Sequence, residues 1–155
     1  MASSKKKTTP TDAIALLKQD HEKVRTLLGQ FENASGARRT KLLAQIETEL
    51  KVHTTIEEEI FYPAYREAAR KKDDKKLFFE AVQEHHVVDL VLPEMNQGAS
   101  PEELKAKAKV LKDLVEHHAE EEEKQMFPRA RKVMDRDELR NLGEMIKRRK
   151  EDLAP

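Results

Sequence analysis

Residues 53–63, HTTIEEEIFYP, place a histidine and a glutamate, Glu57, four residues apart. In an α-helix that spacing puts two side chains one turn apart on the same face. The apolar positions around them, Leu43, Ile46, Leu50, Ile60 and Ala64, continue the same steps of three and four, so His53 and Glu57 lie in a buried seam. Burying either group without a partner is costly. Residues 118–128, HAEEEEKQMFP, repeat the arrangement with His118 and Glu122 and again run into a phenylalanine and a proline.

The other long segments carry seams of the same kind. Ile14, Leu17, His21, Val24, Leu28 and Phe31 form the first, and Phe78, Ala81, His85, Val88, Leu92 and Met95 form the third. The fourth runs through Leu104, Ala108, Leu111 and Val115 to His118 and Glu122. Each seam holds one histidine, whereas His86, His117, Glu58 and Glu123 fall beside it. Breaker-rich stretches at 33–39, 71–75, 96–103 and 134–138 separate five helical segments. Ser100-Pro101-Glu102-Glu103 reads as a helix start, with serine as cap, proline at the first position and Glu103 closing a capping box. Pro63 and Pro128 bend their helices rather than end them, because apolar and charged residues continue beyond.

The pattern predicts an all-α protein. Residues 1–10 read as a disordered polar tail and 11–132 as an antiparallel up-down-up-down four-helix bundle. Residues 133–155 read as a short amphipathic C-terminal helix, built on Leu139, Leu142, Met145 and Ile146, that caps or docks on the bundle. Composition agrees: four glycines, seven aromatic residues and 39% charged residues are the usage of helices rather than sheets. At 155 residues one domain is expected. Thirty basic and thirty acidic side chains cancel, so no summed field favours nucleic acid or an anionic membrane as partner. No apolar run is long enough to span a bilayer, and the expected location is the cytoplasm. The absence of cysteine leaves His, Asp and Glu as the possible metal ligands.

His21 and His53 are 32 residues apart, His53 and His85 are 32 apart, and His85 and His118 are 33 apart. Helices of similar length therefore bring four imidazoles and two carboxylates to similar depth. A single core histidine is commonly a satisfied structural group, but four with two carboxylates and no seam Lys or Arg at that depth call for a cation. Each glutamate can place one oxygen on the ion held by its own histidine and the other on a neighbour, which implies two ions. With each ion six-coordinate, four imidazole nitrogens and four carboxylate oxygens leave about four positions for water, a bridging oxide or hydroxide, and a small ligand. Mixed nitrogen and oxygen donors with open positions favour two iron ions, with manganese or zinc behind. A carboxylate oxidase of the Glu-x-x-His type is excluded, because no histidine has a carboxylate three residues before it.

The order His21, His53-x-x-x-Glu57, His85, His118-x-x-x-Glu122, with the endings IFYP and MFP, resembles the hemerythrin-like HHE cation-binding domains over about residues 12–132. The resemblance implies an oxo- or hydroxo-bridged di-iron centre in a four-helix bundle, open to dioxygen, hydrogen peroxide or nitric oxide. The oxygen carriers of that family have a second histidine four residues after the first on the third helix, where this chain has Asp89. The difference favours redox turnover, including catalase-like peroxide breakdown, over reversible oxygen carriage, with oxygen or nitric oxide storage or sensing as the alternative. Asp89 is a possible extra ligand, and Glu58 and Glu123 are possible outer partners that orient the imidazoles. Phe61 and Met126, four residues beyond the two glutamates, are expected to line the ligand pocket. Tyr62 and Tyr65 are expected to pack with exposed hydroxyls, or to lie near the oxidised centre.

Overall fold

The computed structural model describes residues 11–98 and 100–154, so the tail expected at 1–10 lies outside the described residues. Among the described residues seven α-helices follow one another: α1 (Ala13–Glu32), α2 (Gly36–Ile56), α3 (Tyr62–Ala68), α4 (Lys72–Val91), α5 (Pro101–Glu121), α6 (Phe127–Val133) and α7 (Arg136–Leu153). No strand occurs among the described residues. Because α3 continues α2 and α6 continues α5, they form five helical rods. No helix among the described residues is long and apolar enough to cross a membrane.

Helix starts are set by side-chain oxygens that accept otherwise unpaired first-turn N–H groups. Asp12 accepts from Ala15 N–H at 2.8 Å, Ser100 from Glu103 N–H at 3.2 Å and Asp135 from Glu138 N–H at 2.9 Å. The loop before α2 is shorter than the breaker stretch at 33–39, since Gly36, with a φ of 57°, already begins the helix. That left-handed geometry is open to glycine and costs other residues about 1 kcal/mol or more.

The bends at the two prolines have a specific form. Between α2 and α3, Glu57–Phe61 forms a wide π-helical turn in which Tyr62 N–H donates to the Glu57 carbonyl. Glu122–Met126 does the same between α5 and α6, with Phe127 N–H donating to the Glu122 carbonyl. A proline in an unbroken α-helix would drive its ring against the carbonyl four residues back, and a widened turn just before it relieves the clash. Both seam glutamates therefore stand at the first residue of a π-helical turn.

The apolar interior falls into two clusters. One contains Ile14, Leu17, Phe61, Tyr62, Tyr65 and Phe127 together with Leu139 and Ile146 of α7. The other contains Val24, Leu28, Phe31, Leu43, Ile46, Leu50, Val88, Leu111 and Val115. The histidines occupy seam positions between them. The C-terminal helix is not short: α7 has 18 residues, against 20 in α1. It packs on α1 and α2, and Gly143 makes the close approach possible, because a Cβ there would lie 2.5 Å from the Thr11 carbonyl oxygen.

Candidate metal centre

Helical spacing carries all six seam residues into one buried layer. His21, His53, Glu57 and Glu122 offer ligand atoms that all lie within 4.8 Å of one another, as do Glu57, His85 and His118, so Glu57 belongs to both groups. Neither glutamate is more than 1% exposed. The Nε2 atoms face the carboxylates: His85 lies 2.9 Å from Glu57 Oε1, His21 lies 3.0 Å from Glu122 Oε1, and His118 lies 3.4 Å from the same Glu122 oxygen. Nε2 of His85 and Nε2 of His118 are 3.2 Å apart.

The other ring nitrogen of every seam histidine meets a second carboxylate. Nδ1 of His21 is 2.6 Å from Glu123, that of His53 is 2.9 Å from Asp20, that of His85 is 2.7 Å from Glu58, and that of His118 is 2.8 Å from Glu84. An Nδ1–H donated to a carboxylate fixes the tautomer and leaves the Nε2 lone pair aimed into the layer. Four such lone pairs would then face two carboxylates, an arrangement of acceptors with a single donor among the described residues, the Tyr62 hydroxyl, against them. Nε2 of His53 and Oε2 of Glu57 have no hydrogen-bond partner, although they are only 3.2 Å apart. A cation between the two faces satisfies this donor set, and donors bonded to one ion at about 2.0–2.2 Å sit within such a span.

Protons are the alternative counter-charge. Burial opposes charge on His53, but the carboxylates of Glu57 and Asp20 outweigh it and push the pKa up to about 10. Burial likewise opposes charge on His118, and Glu122 and Glu57 hold its pKa well above the usual value. His85 is raised against its own burial by Glu57. Glu57 is held well below the usual carboxylate range despite burial, first by His53. Outside the layer, Arg25 grips Glu123 through two contacts of 3.1 Å, and Lys150 of α7 pairs with Asp20, so these two orienting carboxylates are themselves anchored.

The two halves differ at the residue that follows each π-helical turn. The ring after each π-helical turn stacks on the first histidine of the other helix pair: Phe127 on His21 at 5.8 Å and Tyr62 on His85 at 5.5 Å between centroids. Only Tyr62 brings a hydroxyl, which donates to Glu122 Oε2 at 2.7 Å and lies 3.2 Å from Glu57 Oε1 and 3.3 Å from His85 Nε2. That oxygen stands between the two groups, against Glu122 of the first, His85 of the second and Glu57 of both. Burial, then Glu122 and Glu57, raise the Tyr62 pKa well above the usual phenol value.

Several expected placements change. Asp89 is exposed on α4 and belongs to neither group, because the buried face of α4 runs through Ala81, His85 and Val88 and turns away before residue 89. Phe61 and Met126 are buried but do not border the cavity of about 30 Å³ at the histidines. That cavity opens on the other face of the layer, where short aliphatic side chains, Val24, Leu50, Val88 and Val115, meet the four imidazoles, while the Phe61 face is filled by aromatic rings. Tyr62 and Tyr65 hydroxyls are buried rather than exposed, and burial pushes the Tyr65 pKa up to about 12. Glu58 and Glu123 do reach imidazole Nδ1 atoms. Asp20 and Glu84 have the same role and were not anticipated. A repeated signal marks them: each directly precedes a seam histidine, as Asp20-His21 and Glu84-His85, but each serves the histidine of the next helix.

A helical protein with a buried layer of imidazoles and carboxylates, oriented by outer carboxylates, is of the cation-binding class. The family model for the hemerythrin HHE cation binding domain matches residues 12–130, and the chain belongs to that family. Its structure is similar to the crystal structure of a hemerythrin HHE cation binding domain-containing protein from Mycobacterium kansasii. The TM-score is 0.79 and the sequence identity 28%, over 92% of this chain and 86% of that one. The comparison with curated proteins gives no match.

Proposed function

We propose that the protein is a non-haem di-iron protein that binds dioxygen, hydrogen peroxide or nitric oxide, and that it turns over peroxide in preference to carrying dioxygen. The observation that carries this reading is the convergence of four Nε2 atoms on two buried carboxylates, with every Nδ1 already committed to another carboxylate. In this reading His21, His53, Glu122 and one oxygen of Glu57 hold one ion. The other Glu57 oxygen, His85 and His118 would hold the second, with the Tyr62 hydroxyl, bonded to Glu122 and Glu57, beside both. Nitrogen and oxygen donors without thiolate suit iron, then manganese. When bound, such ions supply electrons to, or accept them from, a small oxygen or nitrogen species.

The chain's own residues do the rest. Asp20, Glu58, Glu84 and Glu123 fix the imidazole tautomers, and the apolar cavity walls limit water and set ligand size. About 30 Å³ holds one or two water-sized molecules, the scale of the proposed ligands. The exposed position of Asp89 leaves α4 with one imidazole at the centre, which supports peroxide turnover over reversible oxygenation. The same reading arranges α1, α2–α3, α4 and α5–α6 as an up-down-up-down antiparallel bundle, supported by the way Ile14 and Leu17 near the start of α1 share a cluster with Phe61 beyond the end of α2.

Iron-loaded protein tests the reading by oxygen evolution from peroxide and by the spectrum on adding and removing dioxygen. Peroxide turnover without a reversible oxygenated spectrum is expected. Reversible oxygenation without turnover would favour storage or sensing, and neither response would overturn the proposal.

A further inference from the structure

We propose that small neutral molecules reach the centre between α2 and α4, through a partition made by Leu50, Thr54 and Val88. The inference rests on the reading of the layer as a ligand-binding metal centre. The cavity at the histidines is enclosed by the four imidazoles and by aliphatic side chains that include Leu50 and Val88. On the outside, α2 and α4 border an open groove of about 520 Å³. Leu50, Thr54 and Val88 line both spaces, so one layer of side chains separates groove from centre. Leu50 precedes His53 by three residues, Thr54 follows it directly, and Val88 follows His85 by three, which places the partition against two of the seam histidines. The other large groove, about 730 Å³ between α4 and α5, has no lining residue in common with the cavity.

The chemistry of this route selects its traffic. Leu50 and Val88 are nearly buried, and Thr54 is half-buried with its hydroxyl turned to the Lys51 carbonyl oxygen at 3.3 Å. A charged species crossing so apolar a partition loses its hydration without replacement. Three carboxylates, Glu47, Glu58 and Asp89, against one cation, Lys51, line the outer groove and further disfavour anions. A neutral molecule of two atoms meets neither barrier and needs only a transient displacement of Leu50 or Val88 side chains. The partition therefore controls rates of approach and departure more than affinity.

Stopped-flow binding of nitric oxide to the ferrous, iron-loaded protein tests this, with azide binding to the ferric protein as the charged comparison. Val88→Ala and the milder Thr54→Ser should both speed nitric oxide association, Val88→Ala by about tenfold. Dissociation should rise in parallel, so that Kd changes much less than either rate, with iron content unchanged. Gln83→Ala, in the groove between α4 and α5, should leave the rates as they are. Unchanged rates in both partition variants, a change confined to Kd, or an equal response in Gln83→Ala would overturn the route while leaving the ligand-binding reading intact. Absence of any nitrosyl spectrum in the wild type would instead overturn that reading, and the route with it.

Discussion

Stripping the metal and melting the apo protein at a series of pH values tests whether protons take the place of the cation. In the apo layer His53 has a folded pKa of about 10, and those of His85 and His118 are also raised. The unfolded chain titrates its histidines near 6.5. A group that binds its proton more tightly when folded contributes its full stabilisation below the unfolded pKa and loses it as pH rises through the folded one. For His53 the window of loss runs from about 6.5 to about 10. Within it each such group costs about 1.4 kcal/mol per pH unit, and in a chain of this size that lowers Tm by about 3–5 °C per unit. Glu57, whose folded pKa is depressed, loses its contribution only in acid, outside this range. Metal-loaded protein has ligand nitrogens without protons, so its Tm should exceed that of the apo protein by a margin that widens with pH. Calorimetry of both forms between pH 6.5 and 9 measures this. An apo Tm that stays level or rises over that interval would refute the raised imidazole pKa values and the buried, anion-rich layer behind them.

Further substitutions extend the account. Glu57→Ala should abolish binding of both ions, since Glu57 is common to both donor groups; Glu58→Ala or Asp20→Asn should weaken metal affinity by about 10–100-fold, and Asp89→Ala should leave it unchanged, as read by metal titration. Tyr62→Phe removes the hydroxyl shared by Glu122 and Glu57, so it should alter the visible spectrum of the ferric protein and cost about 1–3 kcal/mol of stability by denaturant melting. Gly143→Ala forces a methyl group onto the Thr11 carbonyl and should destabilise by about 1–3 kcal/mol in the same assay, with metal affinity largely retained.

The helices and the six central residues were legible because both depend on spacing along one helix. Steps of three and four put His53 beside Glu57 and keep each seam on one face, whatever the neighbours are. What escaped depends on how helices meet. Asp20 supports His53 and Glu84 supports His118, each across a helix–helix boundary, 33 and 34 residues away. Phe61 and Met126 follow the seam correctly into the core, but spacing does not tell which face of the layer leaves room for a ligand, and the short aliphatic side chains decide that on the opposite side. The C-terminal helix docks as its apolar positions indicate, with Leu139 and Ile146 in the core, but spacing did not show that it brings Lys150 to Asp20. Spacing left Tyr62 between packing and a place near the centre, because the turn that aims its hydroxyl at both glutamates is widened by one residue, which shifts every direction after it.

The central claim is that one chain holds two ions through a shared glutamate. Elemental analysis of protein produced with ample iron and freed of loosely bound metal tests it most directly, read beside the Glu57→Ala variant. The account predicts close to two iron atoms per wild-type chain and close to none in the variant. One ion per chain, or zinc retained in place of iron under those conditions, would contradict it.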